Sequence, residues 1–409
     1  KRGISCNVAS FVGATTVREY VIGEDDKDPT PGQMDSMKLL VRQAMEEGAL
    51  GVGSSLIYPP AFFAKTNELI ELSKEASKYG GMYISHIRNE ATKLFEATHE
   101  LITIAKEAGI PAEIYHFKAS GKDNWWKIDS LVKIIDSARR QRLGITADMY
   151  TYNASATGLT ASFPPSLQDG GFDSLWHRLQ RHDIRAQMKK AMNTNAQDWE
   201  NTYYGAGGAK GVLLLSFKRD SLRKYIGKTL DEVAKIRGTS PEETAMNLIV
   251  EDSTRVGVSY FSMDSNNVKK EVAFPWMSFC SDEASEAPEG VFLKTNPHPR
   301  AYGSFIRVLG KFSRDEKIIP LQEAVRKLSK LPATNLKLQK RGELKVGNFA
   351  DVVVFDPAKV NDKATFEKPH QYAVGVVHVF VNGTQVLKNG EHTGAKPGRF
   401  LKGPGYVKK

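Results

Sequence analysis

Apolar positions in the first 150 residues fall into two alternating rhythms. Short runs rich in β-branched and aromatic residues, at 4–11, 49–55, 82–88, 112–118 and 144–152, predict strands. Between them, 34–47, 67–78, 93–108 and 130–142 repeat apolar residues every three or four positions, the period of an amphipathic helix. Thr66 and Asp129 are expected N-caps, and Gly80, Gly109 and Gly144 are expected helix stops. Strand and helix in alternation predict βα units around a parallel sheet, either closed into a barrel or left open, and periodicity alone does not separate the two. No Gly-x-Gly-x-x-Gly turn follows any strand, which removes the main support for a dinucleotide-binding sheet.

From 156 to about 260 the rhythm breaks at Pro164-Pro165, Gly170-Gly171 and Gly207-Gly208. This predicts an inserted, partly helical excursion covering one end of the sheet. A strand returns at 273–282 and a helix at 321–330. Beyond Pro332 the chain is β-rich, with near-continuous apolar runs at 350–355 and 376–381 and a type I′ hairpin signal at Asn382-Gly383. The expected organisation is an α/β unit over 1–335, carrying its insertion at about 156–260, and part of a small β domain over 336–409.

At 409 residues, 41% hydrophobic and 25% charged, the composition excludes disorder, collagen-like repeats and a disulfide scaffold. A net charge of +10 would suit an anionic macromolecule, but the basic residues are scattered and Arg139, Arg140 and Arg142 sit at a solvated helix end. No nucleic acid or membrane partner is expected, and the oligomeric state is not legible. Cys6 and Cys280 form at most one bridge, and no run approaches 18 apolar residues, so a reducing, cytoplasmic setting is expected.

Candidate chemistry concentrates at strand ends. His86 and His116 lie near the C-terminal ends of two predicted parallel strands, and alternation puts Ile84, His86 and Arg88 on one face and Ile114, His116 and Lys118 on one face of the next. A third strand ends in Ser281-Asp282. Neutral imidazoles suit Zn²⁺, and a carboxylate completes the shell or acts as base toward a metal-activated water. The competing reading is structural: a strand histidine is often a hydrogen-bonded core residue, a strand-end aspartate often caps a helix, and Lys118 is a carboxylate ligand or a plain strand-end lysine. No Cys-x-x-Cys pair or Gly-x-Ser-x-Gly elbow supports a nucleophilic side chain.

At this point the chain resembles the N-acyl-D-amino-acid deacylases, or D-aminoacylases, of the amidohydrolase superfamily. The resemblance is carried by 51–60 (GVGSSLIYPP), 85–90 (SHIRNE), 116–121 (HFKASG), 148–155 (DMYTYNAS), Ser281-Asp282, 298–305 (HPRAYGSF), Arg341-Gly342 and 347–356 (GNFADVVVFD). It implies a TIM-like (β/α)8 metal-dependent barrel with a small C-terminal β domain. It also implies zinc on His86 and His116 with Asp282 as a further ligand and as the general acid/base. Tyr58, Lys118, Ser155 and Arg300 would line the substrate site. The implied reaction is hydrolysis of the amide of an N-acyl-D-amino acid to a carboxylate and a free D-amino acid.

One departure accompanies the resemblance. The family opens with a small β segment, a first barrel strand bearing His-x-His and a Gly-Asn-Cys-Gly turn whose cysteine joins the zinc shell, and none of these is in the chain. The expectation is therefore a barrel incomplete on its N-terminal side, with exposed sheet edges, weakened metal affinity and lowered or lost activity. The alternatives are a cyclic-amide hydrolase of dihydroorotase or hydantoinase type, and a non-catalytic remnant that binds a small acid. Against the former, 49–55 offers no lysine for carboxylation.

Overall fold

The structure is a computed structural model that describes residues 3–408. Five strands open the chain: β1 (Val12–Gly13), β2 (Gly51–Ser55), β3 (Met82–His86), β4 (Ala112–Ile114) and β5 (Ile145–Met149). Then come β6 (Ser155–Gly158), β7 (Val212–Ser216), β8 (Gly257–Tyr260) and β9 (Met277–Phe279). Six of them form one parallel sheet in the order β1-β2-β3-β4-β5-β9, so the sheet resumes across the excursion as the sequence predicts. Among the described residues β1 and β9 are its ends, and no strand pairs their outer edges.

Between β1 and β5 the helices are Ala14–Val21, Pro31–Glu47, Thr66–Ser77, Leu94–Ala108 and Ile128–Arg140. Each presents a buried stripe to the sheet, for example Leu69, Leu72 and Ala76, or Leu131, Ile135 and Ala138. Two expected caps move: Thr66 is the first helical residue after Lys65, and Asp129 lies inside the first turn after Lys127. Gly109 does stop its helix in the left-handed conformation. The helix Pro31–Glu47 begins with a reciprocal cap, in which Thr30 N–H donates to Gln33 Oε1 at 2.9 Å and Gln33 N–H donates to Thr30 Oγ1 at 3.4 Å. Thr30→Ala is expected to lower unfolding free energy by about 1 kcal/mol in urea titrations, with little change in slope.

The predicted strand at 4–11 shrinks because its partner comes from the far end of the chain. Val8 bridges Phe400, and the tail then meets the C-terminal end of the helix Pro31–Glu47, with Gly403 N–H donating to Gly48 O at 2.8 Å and Val407 N–H to Glu46 O at 3.0 Å. The excursion carries an antiparallel sheet, β6-β8-β7, over a core of its own that includes Leu159, Phe163, Met188, Leu214 and Tyr260.

At the C-terminus β10 (Val352–Phe355), β11 (Val376–Val381), β12 (Thr384–Lys388) and β13 (Glu391–His392) form a separate antiparallel sheet in that order. Asn382 (φ 51°) and Gly383 (φ 83°) make the expected type I′ hairpin, which requires positive φ at both central positions. Among the described residues no helix is long and apolar enough to cross a membrane.

Candidate metal and substrate site

His86 is the last residue of β3, so the strand itself aims its ring at the C-terminal end of the sheet. Arg88, expected on the same face, leaves it: the strand has ended, and the guanidinium bonds Glu100 and the carbonyls of Phe62 and Ala64. His116 also departs from the simple alternation. β4 stops at Ile114, and His116 takes a φ of 36°, in the left-handed region that a non-glycine residue occupies only when its surroundings hold it there. The holding group is Asp148, whose carboxylate accepts from His116 N–H at 2.5 Å while its carbonyl accepts from Phe117 N–H at 2.8 Å. The two imidazoles nevertheless meet, with ring centroids 4.4 Å apart and planes at 78°.

Between them stands a carboxylate to which the sequence reading assigned no role. Glu90 Oε2 is 3.5 Å from His86 Nε2, and Glu90 Oε1 is 3.2 Å from His116 Nδ1. The available signal was Asn89, a turn former whose side chain accepts from the N–H groups of Ala91 and Lys93 at 2.9 Å and folds the chain back after β3. Strand periodicity continued past His86 pointed to Arg88 instead. Lys118 Nζ lies 2.7 Å from both Glu90 oxygens and 2.7 Å from His116 Nδ1, fully inside the protein.

The electrostatics favour neutral rings. Burial pushes His86 well below the ordinary histidine range, and burial together with the Lys118 ammonium pushes His116 down to about 3. His86 Nε2 is buried with no hydrogen-bond partner, an arrangement that costs free energy unless something accepts its lone pair. Two neutral imidazoles, one of them orphaned, and a buried carboxylate, with donor atoms all within 4.8 Å of one another, form a donor set suited to a borderline cation such as Zn²⁺.

These groups form the floor of a cavity of about 750 Å³. Its wall brings together every other nominated residue: Tyr58, Lys118, Ser155, Asp282 and Arg300. Tyr58 donates its hydroxyl to Thr157 Oγ1 at 2.9 Å, and Ser155 opens β6. Asp282 sits beyond β9 at a φ of 50°, with its side chain 38% exposed and Oδ2 2.8 Å from Arg300 Nη1. It is thus the solvent-facing carboxylate of the site, paired to an arginine, while Glu90 is the one that touches the histidines. Glu283 holds the other side of that arginine, 3.3 Å from Nε. The excursion contributes Glu200, Thr202 and Arg255 to the same wall. Glu200, pushed up to about 7 by burial, accepts from Glu90 N–H at 2.5 Å and ties the excursion to the floor.

Comparison with known proteins agrees with this architecture. The description of the amidohydrolase family matches residues 7–387. A D-aminoacylase of Alcaligenes xylosoxydans xylosoxydans is 32% identical over 395 residues, covering 97% of this chain and 70% of that protein. An N-acyl-D-glutamate deacylase of the same organism is 30% identical over 396 residues, with 97% and 70% covered. Among solved structures, the N-acyl-D-glutamate deacylase of Bordetella bronchiseptica, complexed with zinc and a phosphonate that mimics the tetrahedral intermediate, superposes with a TM-score of 0.79 at 28% identity, covering 97% of this chain and 72% of that one. Matched over nearly all of its length in sequence and in fold, the chain belongs to the amidohydrolase family, alongside D-aminoacylase and the N-acyl-D-amino-acid deacylases.

Proposed function

We propose that this protein hydrolyses the amide bond of N-acyl-D-amino acids, giving a carboxylate and a free D-amino acid, with zinc as its cofactor. The observation that carries the reading is the convergence of two neutral, buried imidazoles and the Glu90 carboxylate beneath a cavity whose wall presents Asp282 and Arg300. His86, His116 and Glu90 would hold the metal, which supplies Lewis acidity toward the amide carbonyl and the attacking water.

The remaining work falls to side chains of the chain itself. Asp282, the exposed carboxylate, takes the proton of the water as its oxygen bonds the carbonyl carbon. It returns that proton to the amide nitrogen as the C–N bond breaks, so the amine leaves neutral. Arg300, buried and already shaped to carboxylates by Asp282 and Glu283, holds the substrate's α-carboxylate. Lys118 joins it once a cation has taken over Glu90 and His116. Tyr58 and Ser155 present hydroxyl groups to the substrate carbonyl. Among the described residues none beyond Phe305 lines the cavity, so 336–408 supplies none of this chemistry directly.

The test is metal content together with turnover. Zinc by elemental analysis, and release of amino acid from N-acetyl-D-methionine and N-acetyl-D-glutamate but not from their L enantiomers, is the expected result. Dialysis against a chelator should abolish the turnover, and zinc should restore it. A protein that binds no metal and cleaves none of these amides would overturn the proposal.

A further inference from the structure

Three cations reach the cavity wall, and they differ in what already occupies them. Lys118 is held by Glu90, and Arg300 is held by Asp282 and Glu283. Arg255, at the entry to β8 in the excursion, has no carboxylate partner among the described residues. Its Nε donates to Thr160 Oγ1 at 3.2 Å, which leaves both Nη groups for a ligand, and its guanidinium lies 5.1 Å from the centre of the Tyr58 ring. This stacking pre-orients the guanidinium, so little freedom is lost when an anion arrives.

The backbone around it is shaped to keep it there. A Cβ added to Gly158 on the neighbouring strand would come within 2.9 Å of Arg255 Cβ and Nε. Glycine at that position is what lets the guanidinium lie where it does. Arg255 also borders a side chamber of about 220 Å³ that joins the main cavity at Tyr58 and Glu200. Of the acids near it, Glu200 is occupied by Glu90 N–H, and Glu19 and Glu24 lie in the wall of the side chamber.

Position indicates which anion fits. The Tyr58 ring links Arg255 to the metal-binding floor, lying 5.5 Å from the His86 ring and 5.1 Å from the guanidinium. The α-carboxylate is one bond from the carbon that bears the scissile nitrogen and falls to the cations nearer the histidines. A group read across the tyrosine ring is farther along the molecule. We propose that Arg255 binds a second carboxylate, on the side chain of the D-amino acid, so that N-acylated acidic D-amino acids are the preferred substrate class. This rests on the deacylase reading above.

The experiment compares N-acetyl-D-glutamate and N-acetyl-D-aspartate with N-acetyl-D-methionine on the zinc-loaded full chain, wild type against Arg255→Leu, Arg255→Lys and Gly158→Ala. It reads kcat/KM by amino-acid release and dissociation constants by calorimetry. The wild type should favour the acidic substrates. Arg255→Leu should lower the acidic-to-neutral ratio roughly 10- to 100-fold, mostly through KM, the loss of one charge-assisted contact. Arg255→Lys should recover part of that ratio, and Gly158→Ala should lower it by displacing the guanidinium. A wild type that prefers the neutral substrate, or a ratio that Arg255→Leu leaves in place, overturns the assignment. Failure of the deacylase reading shows separately, as absent turnover of every D substrate, and the calorimetric ratio then still decides the role of Arg255.

Discussion

Replacing Glu90 with glutamine is expected to cost the protein both its metal and about 3–5 kcal/mol of stability, the usual cost of breaking one side of a buried ion pair. Lys118 and Glu90 are each only 3% exposed, and both carboxylate oxygens accept from the ammonium at 2.7 Å. A neutral amide at position 90 leaves a buried ammonium facing one carbonyl and an NH₂ group that repels it. Among the described residues the same change removes the one carboxylate grouped with both imidazoles, so neutral ligands alone remain there for a dication. Chemical denaturation and elemental analysis read the two effects on one sample. The double variant Glu90→Gln with Lys118→Met separates them: much of the stability should return, because no unpaired charge remains, and the metal should not.

The second large effect belongs to Asp282. Asp282→Asn should lower kcat by about 10²–10⁴-fold, the range for loss of a positioned general acid/base, while zinc content stays at the wild-type level. The split follows from geometry. Asp282 is paired with Arg300 on the open wall, and the donors gathered within 4.8 Å are His86, Glu90 and His116. Stability should fall little, because Glu283 continues to face the Arg300 guanidinium. Loss of zinc in parallel with activity would instead make Asp282 a ligand as well as a base, the combination that the family resemblance suggests. A rate within threefold of wild type would remove Asp282 from the mechanism.

The two site histidines show how far strand periodicity carries. Reading alternation along 82–88 places His86 correctly, because β3 is regular to its last residue, but it then points to Arg88, which turns away to Glu100. Reading it along 112–118 assumes a strand that ends two residues before His116, where Asp148 draws the backbone into a left-handed turn. The side chain still reaches the site, by a different route from the one alternation describes. Glu90 escaped notice because its placement depends on a turn stabilised by Asn89 and on a backbone contact from Glu200, 110 positions later. Arg255 and its unpaired guanidinium escaped because an arginine in an irregular excursion looks the same in sequence whether solvent or a cavity receives it.

What the amino-acid sequence determined by itself was therefore local or strongly patterned. It determined the alternation of strand and helix, the hairpin at Asn382-Gly383, the break between residues 156 and 260, and the nomination of His86, His116 and Asp282. Each depends on neighbours within a few positions, through backbone dihedrals, side-chain period and turn chemistry, and such terms survive in a one-dimensional reading. The tertiary structure alone decided which carboxylate meets the histidines, which cation of the cavity wall lacks a carboxylate partner among the described residues, and that the tail rather than a sheet neighbour pairs with Val8. Those outcomes depend on burial and on contacts between residues far apart in the chain. There, desolvation makes an unpaired charge costly and selects partners that no local pattern specifies.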